Sequence, residues 1–204
     1  MMAFFFNATL LDWQEESIRY DAIREKMQRT EQIRIVGNGT DLSLNTKGRT
    51  YQIDDGHINM PGGEIYTAPT DDSAEGSISF EFPAVFAGQF IEGIRLHFSK
   101  GEVVEASADK NQKLLLDLIG MDAGAKRIGE FGVGTNYSIS RYCYDLLFDE
   151  KIGGTVHIAL GRAYPECGGV NKSAFHWDLI KDLREEGALY LDGKKVLEKG
   201  VFLF

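Results

Sequence analysis

The sequence predicts an α+β fold, an antiparallel-rich β domain with a few helices. Apolar and polar residues alternate in many short segments, which is the pattern of strands that bury one face. Dipeptides that favour tight turns, such as Asn38-Gly39 and Lys100-Gly101, separate neighbouring segments. The chain has 204 residues, enough to bury one sizeable core, and we expect residues 1–204 to form a single domain.

The first predicted element is a helix over residues 9–30. Thr9 or Asp12 would cap its N-terminus, and basic residues lie near its C-terminus, where they complement the helix dipole. The apolar residues 1–6 that precede it are too few for a membrane span or a secretory signal. We expect this apolar start to pack on the core, or to be the remnant of a contact with a preceding segment that is now absent.

The middle and C-terminal parts alternate strands with short helices. The period-two pattern predicts strands over residues 33–36, 42–44, 77–82, 91–98, 102–106, 128–133, 155–160 and 174–179. A second helix would begin at Asp109, as its cap, and end at Gly120, and a short third helix would cover residues 141–148. The chain ends in a predicted hairpin, residues 188–197, that turns at Asp192-Gly193.

The charge balance of the chain disfavours one class of function. Asp and Glu number 31 against 22 Lys and Arg, a formal net charge of -9, which argues against a nucleic-acid binder that relies on a basic surface. We therefore expect no nucleic-acid partner, and no membrane partner. Most acids would form a solvated surface, but some could be metal ligands. Cys143 and Cys167 form no C-x-x-C pair, so we expect reduced thiols in a cytoplasmic protein.

Six acidic and histidine side chains are candidate ligands for a divalent metal. Each lies in a short run that mixes glycine with β-forming apolar residues, and carboxylates and imidazoles are the groups that such cations bind. The six are Glu64, Glu130, Glu150, His157, His176 and Asp178. His176 and Asp178 are separated by one residue in a predicted strand, so their side chains share one face. A metal-dependent hydrolytic site is therefore the first hypothesis.

Each candidate also has a simpler interpretation. The His-x-Asp pair is short and common by chance, and His157 could be a satisfied histidine in the core. Glu64 follows a Pro-Gly-Gly turn and could lie on the surface, although an inward carboxylate there would need a partner. Glu150 could be a solvated loop acid. Tyr164 could donate a hydrogen bond to a developing oxyanion, or it could be an ordinary half-buried tyrosine. Taken one at a time, these residues leave the function open.

Taken together, four runs resemble the M29 family of thermophilic, or aminopeptidase T, metallopeptidases. They occur in family order and are, in this sequence, residues 59–69, 128–136, 157–161 and 173–178. The resemblance extends over essentially the whole chain, which looks like the C-terminal half of a usual family member. It implies the fold of that catalytic half, and it implies that the α/β domain that normally precedes it is missing.

The resemblance implies a metal-dependent aminopeptidase that releases N-terminal amino acids from peptides through water activated by two divalent ions. Zinc or cobalt would be the ions, with manganese and magnesium as further candidates. The residues that match family ligands are Glu64, Glu130, His157, His176 and Asp178, with Glu130 as the bridge. Glu150 matches a further ligand or an acid–base carboxylate, and Tyr164 matches a tyrosine that assists catalysis. Either Glu130 or Glu150 would accept the proton of the activated water and deliver it to the leaving amine.

The resemblance also implies peptide substrates with a free N-terminus and a homodimer. Two other classes of function stay open at this point. A non-catalytic, metal-stabilised binding or oligomerisation module, derived from a truncated aminopeptidase, would bind metal without cleaving peptides. A purely structural β-rich domain would bind no metal tightly.

Overall fold

The computed structural model describes residues 2–204, and within them it contains three antiparallel sheets and four α-helices, which confirms the predicted α+β class. The helices are α1 (Met2–Thr9), α2 (Trp13–Met27), α3 (Gln112–Ile119) and α4 (Leu146–Asp149), with a short 3-10 helix at Pro165–Cys167. The strands are β1 (Gln32–Gly37), β2 (Thr40–Asn45), β3 (Gln52–Asp54), β4 (Glu64–Thr67), β5 (Glu75–Ser79), β6 (Ala84–Phe86), β7 (Gln89–Ile91), β8 (Arg95–Ser99), β9 (Glu102–Ser107), β10 (Ile128–Gly134), β11 (Thr155–Gly161), β12 (His176–Asp182), β13 (Gly187–Leu191), β14 (Lys194–Glu198) and β15 (Val201–Phe202). None of the helices in this part of the chain combines the length and the apolar composition needed to cross a membrane.

Two large sheets form the framework. The eight-stranded sheet has the order β15-β14-β13-β1-β2-β5-β8-β9, and the five-stranded sheet has the order β12-β11-β10-β4-β3. β6 and β7 form a separate two-stranded sheet. Ile35 and Leu42 from the first large sheet, and Phe131 and Ile158 from the second, belong to one contiguous group of buried apolar side chains. The two large sheets therefore share one hydrophobic core.

Alternation along the five-stranded sheet separates a core face from a second face. In β11, Val156, Ile158 and Leu160 belong to the hydrophobic core, whereas His157 points to the opposite side. Every residue of β11 is nevertheless buried. The second face is thus also covered by protein, so polar groups on it are costly unless they are paired or bound.

The first helical region differs in part from the prediction. Asp12 caps α2 as expected, because its carboxylate accepts hydrogen bonds from two backbone amides of the first turn, at 3.1 and 3.2 Å. The helix predicted over residues 9–30 is wrong at its start, since Thr9 closes a separate helix, α1. The apolar start packs only in part: Phe4 and Ala8 join a small hydrophobic cluster apart from the main core, with the ring centroid of Phe4 5.7 Å from that of Phe148. Met2, Phe5 and Phe6 are exposed.

Two further boundaries differ for local reasons. The strand predicted over residues 91–98 is split into β7 and β8 by Gly93, whose φ of 66° breaks the extended backbone. Asp109 does not cap α3. Asn111 occupies the N-cap position with a φ of 59°, and Asp109 instead forms an ion pair with Arg95 at 2.9 Å.

The C-terminal elements largely follow the prediction. β10 and β11 form over the predicted residues, and β13 and β14 form the hairpin around Asp192-Gly193. The helix predicted over residues 141–148 is reduced to α4, and β12 lies a few residues further along the chain than predicted. Cys143 and Cys167 are free thiols, as expected.

Candidate metal centre

Five of the predicted ligands come together on the second face of the five-stranded sheet. They are Glu64 in β4, Glu130 in β10, His157 in β11, and His176 and Asp178 in β12. Each occupies a position that alternation assigns to this face. His176 is partly exposed, with 17% of its side-chain surface accessible, and the other four are buried. Strand pairing thus gathers side chains that are far apart in sequence.

Small residues on neighbouring strands leave room for these side chains. Gly132 pairs with His157 across β10 and β11, and Ala159 pairs with both Glu130 and Asp178. A Cβ added to Gly132 would lie 2.1 Å from Nε2 of His157, so the imidazole lies directly over the glycine backbone. Glycine is required here by the close approach of another side chain.

The ligand atoms fall into two groups that share one carboxylate. The first ligand group is Glu64, Glu130 and His157, and the second ligand group is Glu130, His176 and Asp178. Within each group the ligand atoms lie within 4.8 Å of one another. Oε1 of Glu130 lies 3.5 Å from His157, and Oε2 lies 3.2 Å from His176. A carboxylate with one oxygen in each group is suited to bridge two metal ions.

A backbone hydrogen bond orients His176. Its Nδ1 donates to the carbonyl oxygen of Arg162 at 2.8 Å, since a carbonyl oxygen can only accept. In the neutral imidazole this leaves the lone pair of Nε2 free, and Nε2 lies 3.2 Å from Glu130 and 3.6 Å from Asp178. A tautomer fixed by an outer hydrogen-bond partner is typical of histidines that bind metal.

His157 has a buried imidazole that lacks a hydrogen bond. Its Nε2 lies 3.4 Å from Oε2 of Glu64 and 3.5 Å from Oε1 of Glu130, but neither ring nitrogen forms a hydrogen bond with good geometry to any residue in 2–204. A buried polar group of this kind is costly unless something binds it. A divalent cation among these three side chains would satisfy the Nε2 nitrogen and both carboxylates. The residues therefore fit the metal that their chemistry suggests.

The concentration of carboxylates shifts the pKa values of the cluster. Burial lowers the pKa of His157, but Glu130, Glu64 and Asp178 outweigh burial and raise it to about 10. Burial also lowers the pKa of His176, but Glu130 and Asp178 outweigh burial and raise it to about 9. Burial and the charge of Glu130 raise the pKa of Asp178 to about 7. Against the effect of burial, the two histidines lower the pKa of Glu130 to about 2. The site favours positive charge, in the form of protons or of metal ions.

A buried lysine lies beside the first ligand group. The side chain of Lys151 is fully buried, and its Nζ donates a hydrogen bond to Glu150 and lies 3.2 Å from Oε1 of Glu64 and 3.8 Å from Oδ2 of Asp54. The carboxylates of the site are those of Asp54, Glu64, Glu130, Glu150 and Asp178. No other lysine or arginine in the described chain pairs with them. Five carboxylates against one ammonium leave four formal negative charges, which two divalent cations would balance.

Glu150 lies at the edge of the cluster, outside both ligand groups found in residues 2–204. It accepts a hydrogen bond from Lys151, and only 15% of its side-chain surface is accessible, so it is not a solvated loop acid. Burial and the charge of Glu64 raise its pKa to about 7. Its role as a further ligand or as an acid–base group stays a prediction.

Tyr164 lies beside the second ligand group. It immediately precedes the 3-10 helix, and its ring centroid is 5.1 Å from that of His176 and 5.5 Å from that of Tyr66. The side chain is half-buried. Burial raises the pKa of its phenol, and the neighbouring carboxylates, led by Glu130, raise it further. The hydroxyl group therefore keeps its proton at neutral pH and can donate a hydrogen bond.

Three contributors to this site are not among the residues predicted from the sequence: Lys151, Asp54 and Gly132. An adjacent acid and lysine are typical of a solvated loop, and nothing in the local pattern reveals that both are buried here. Asp54 ends β3, which has only three residues and is too short for alternation to detect. Gly132 did carry a signal, because a glycine inside a strand often marks the close approach of another group.

Comparison with known proteins identifies the family. Residues 7–202 match the thermophilic metalloprotease (M29) family. The chain belongs to this family. Aminopeptidase T of Thermus thermophilus is 29% identical over 93% of this chain and 55% of its own length. Aminopeptidase 2 of Geobacillus stearothermophilus is 34% identical over 67% of this chain and 38% of its own length.

A solved structure confirms the fold of this M29 chain. Wild-type AmpT from Thermus thermophilus superposes with a TM-score of 0.84 at 27% sequence identity, over 98% of this chain and 57% of the other. The chain spans about half the length of the curated relatives described above. The match confirms the family resemblance carried by the four sequence runs.

We predict that Gly132→Ala removes metal from the first ligand group of this M29 protein. The added Cβ would lie 2.1 Å from Nε2 of His157 and would force the imidazole away from Glu64 and Glu130. Metal content of the folded variant, measured by plasma mass spectrometry, should fall by about one ion per chain. Gly48→Ala is the control: a Cβ in this exposed turn meets no described atom within 4 Å, and its φ of 73° makes alanine costly for stability but leaves the distant ligands unchanged. Unchanged metal content in Gly132→Ala would contradict the assignment.

We also predict that the metal-free protein loses stability as the pH rises from about 6 to about 9.5. The pKa values of His157, His176 and Asp178 are raised to about 10, 9 and 7, so the folded state holds more protons than the unfolded state in this range. The contribution of the histidines is complete below their unfolded pKa of about 6.5 and is lost as the pH passes the folded values. Melting temperatures measured in the presence of a chelator should therefore fall as the pH rises. The fall should be smaller for His176→Ala than for the control His97→Ala. A melting temperature that rises over this interval would show that the cluster does not hold these protons.

Proposed function

We propose that this chain forms the catalytic centre of a metal-dependent aminopeptidase that uses two divalent ions to release N-terminal amino acids from peptides. The observation that carries the proposal is the position of Glu130, which has one carboxylate oxygen facing each ligand group. Membership of the M29 family and similarity to proteins named as aminopeptidases support the same activity.

Each ion would be held by one of the two ligand groups, with Glu130 common to both. Mixed carboxylate and imidazole donors suit zinc or cobalt, whereas magnesium and manganese prefer sites made mostly of oxygen. When bound, two such ions lower the pKa of water and polarise a substrate carbonyl group. The protein contributes a buried, acidic face that holds the ligands in place.

Glu150 is best suited to carry protons during the reaction. It lies beside the ligand groups found in residues 2–204 and belongs to neither, so it would be free to accept a proton from water and return that proton to the leaving amine. Glu130, with a pKa of about 2, would stay ionised and act as a ligand. Lys151 binds Oε1 of Glu150, which leaves the other oxygen for the proton exchange.

Tyr164 would donate a hydrogen bond to the oxygen of the scissile carbonyl as negative charge develops on it. Its protonated hydroxyl supplies the donor, and contacts with His176 and Tyr66 position the ring. A preorganised donor of this kind acts most strongly on the charge of the transition state.

The substrate would be a peptide with a free N-terminus. The free α-amino group has a nitrogen lone pair that one of the two ions would bind, and an internal amide has none to offer, which distinguishes a chain end from an internal peptide bond. We further propose, from the family resemblance, a homodimer that works in the cytoplasm. Light scattering on the purified protein tests the dimer.

The purified chain should hydrolyse leucyl and phenylalanyl chromogenic substrates only when a divalent metal is added. His176→Ala should abolish this activity, because it removes a ligand of the second group. His97→Ala should keep it, because His97 lies in the eight-stranded sheet beside Ser77, outside the ligand groups. A folded wild-type chain without metal-dependent hydrolysis would refute the enzyme. Metal-dependent stability in that same chain would favour the metal-stabilised binding module.

Tyr164→Phe should slow turnover about 10²–10³-fold and leave the metal content unchanged. The substitution removes the hydroxyl donor and keeps the ring that contacts His176. Rates at saturating substrate and ions per chain should be measured on the same preparation. Tyr190→Phe, in the eight-stranded sheet, is the control for loss of a phenol elsewhere. If Tyr164→Phe loses its metal, Tyr164 supports the ligands and does not serve the reaction.

A further inference from the structure

We propose that Lys151 is a positioning residue, which holds Glu64 by one carboxylate oxygen and thereby sets the metal affinity of the first ligand group. The inference rests on the proposed function, because it concerns residues that would hold a metal. It adds a residue outside both ligand groups that orients a ligand without binding metal or substrate itself.

The two oxygens of Glu64 face different partners. Oε1 lies 3.2 Å from Nζ of Lys151, and Oε2 lies 3.4 Å from Nε2 of His157. An ammonium group held against one oxygen restrains rotation of the carboxylate, so the second oxygen stays directed towards the ligand group. Glu64 would therefore present a single oxygen, Oε2, to an ion beside His157.

The protein holds Lys151 itself in a fixed position. Its backbone amide donates to the carbonyl oxygen of Phe148 at 3.1 Å, and its carbonyl oxygen accepts from the amide of Asn136 at 3.0 Å. Lysine side chains usually keep the ammonium group in water, because burial removes its hydration. The ammonium of Lys151 is fully buried, and the carboxylates of Glu150 and Glu64 compensate for the lost water. A lysine fixed at both its backbone and its charged end can orient a neighbour.

The direction of a change in metal affinity distinguishes positioning from simple charge. A positive charge near a cation site repels the cation, so removal of Lys151 would strengthen metal binding if charge were its whole contribution. Loss of orientation acts in the opposite direction, since removal of an outer-shell partner weakens metal binding about 10–100-fold. Weaker binding by a folded variant is therefore the sign of lost positioning.

A pair of matched variants tests the inference. Lys151→Met removes the ammonium group and keeps an unbranched apolar chain. Lys181→Met is the control, because Lys181 is also buried but pairs with Glu81 and with the carbonyl oxygen of Asn38, away from the ligand groups. Each metal-free protein would be titrated with Zn²⁺ against a competing chelator, and bound ions would be counted by native mass spectrometry.

We expect Lys151→Met to bind the ion of the first ligand group about 10–100-fold more weakly than wild type and to keep the second ion. Lys181→Met should bind both ions with wild-type affinity, even if its melting temperature falls. Equal or tighter binding of both ions by Lys151→Met would overturn the inference, since the lysine would then be a structural charge only.

A second variant covers the case in which Lys151→Met does not fold. Lys151→Met combined with Glu150→Gln removes one charge of each sign, and Glu150→Gln alone is its control. The double variant should bind the first ion about 10–100-fold more weakly than Glu150→Gln alone. Failure of the proposed enzyme is distinguishable, because a wild-type chain that binds two zinc ions without hydrolysis still allows the affinity comparison. A wild-type chain that binds no zinc would overturn both proposals.

Discussion

Four buried carboxylates, those of Asp54, Glu64, Glu130 and Asp178, lie on one face of the five-stranded sheet, and the carboxylate of Glu150 lies beside them. This concentration of negative charge determines what else the site must contain. Buried carboxylates repel one another and lose their hydration, so this face is stable only with positive charge among them. The chain supplies the ammonium of Lys151 and two imidazoles, His157 and His176, whose pKa values rise until they hold protons at neutral pH. Divalent ions would displace those protons. Metal binding and the stability of the fold therefore depend on the same charged side chains, and both change with pH.

The hydrophobic core fixes where the ligands lie. In β11 the core-facing Val156 and Ile158 flank His157, so a shift of register by one residue would bury the imidazole in the core and expose apolar side chains on the acidic face. In β10 an irregularity in the register between Ile128 and Glu130 lets Glu130 share the face of His157, while Ile128 and Phe131 stay in the core. The glycine at position 132 then provides the space that the imidazole needs. Packing and ligand placement are thus two consequences of one strand register.

Much of this arrangement could be predicted from local sequence. The strong alternation in β10 and β11 identified both strands, and the His-x-Asp spacing correctly placed His176 and Asp178 on one face. Local patterns do not specify which strands pair, so the proximity of Glu64 to Glu130 came only from the family resemblance and the structure. The burial of Lys151 could not be predicted either, because it depends on how distant segments cover the loop after α4.

Anomalous scattering can determine whether Glu130 lies between two cations. Crystals of the metal-free chain soaked with zinc, and measured on either side of the zinc absorption edge, locate each bound ion without reference to activity. We expect two anomalous peaks, one beside Glu64 and His157 and one beside His176 and Asp178, with an oxygen of Glu130 bound to each. A single peak, or peaks that lie away from Glu130, would contradict it.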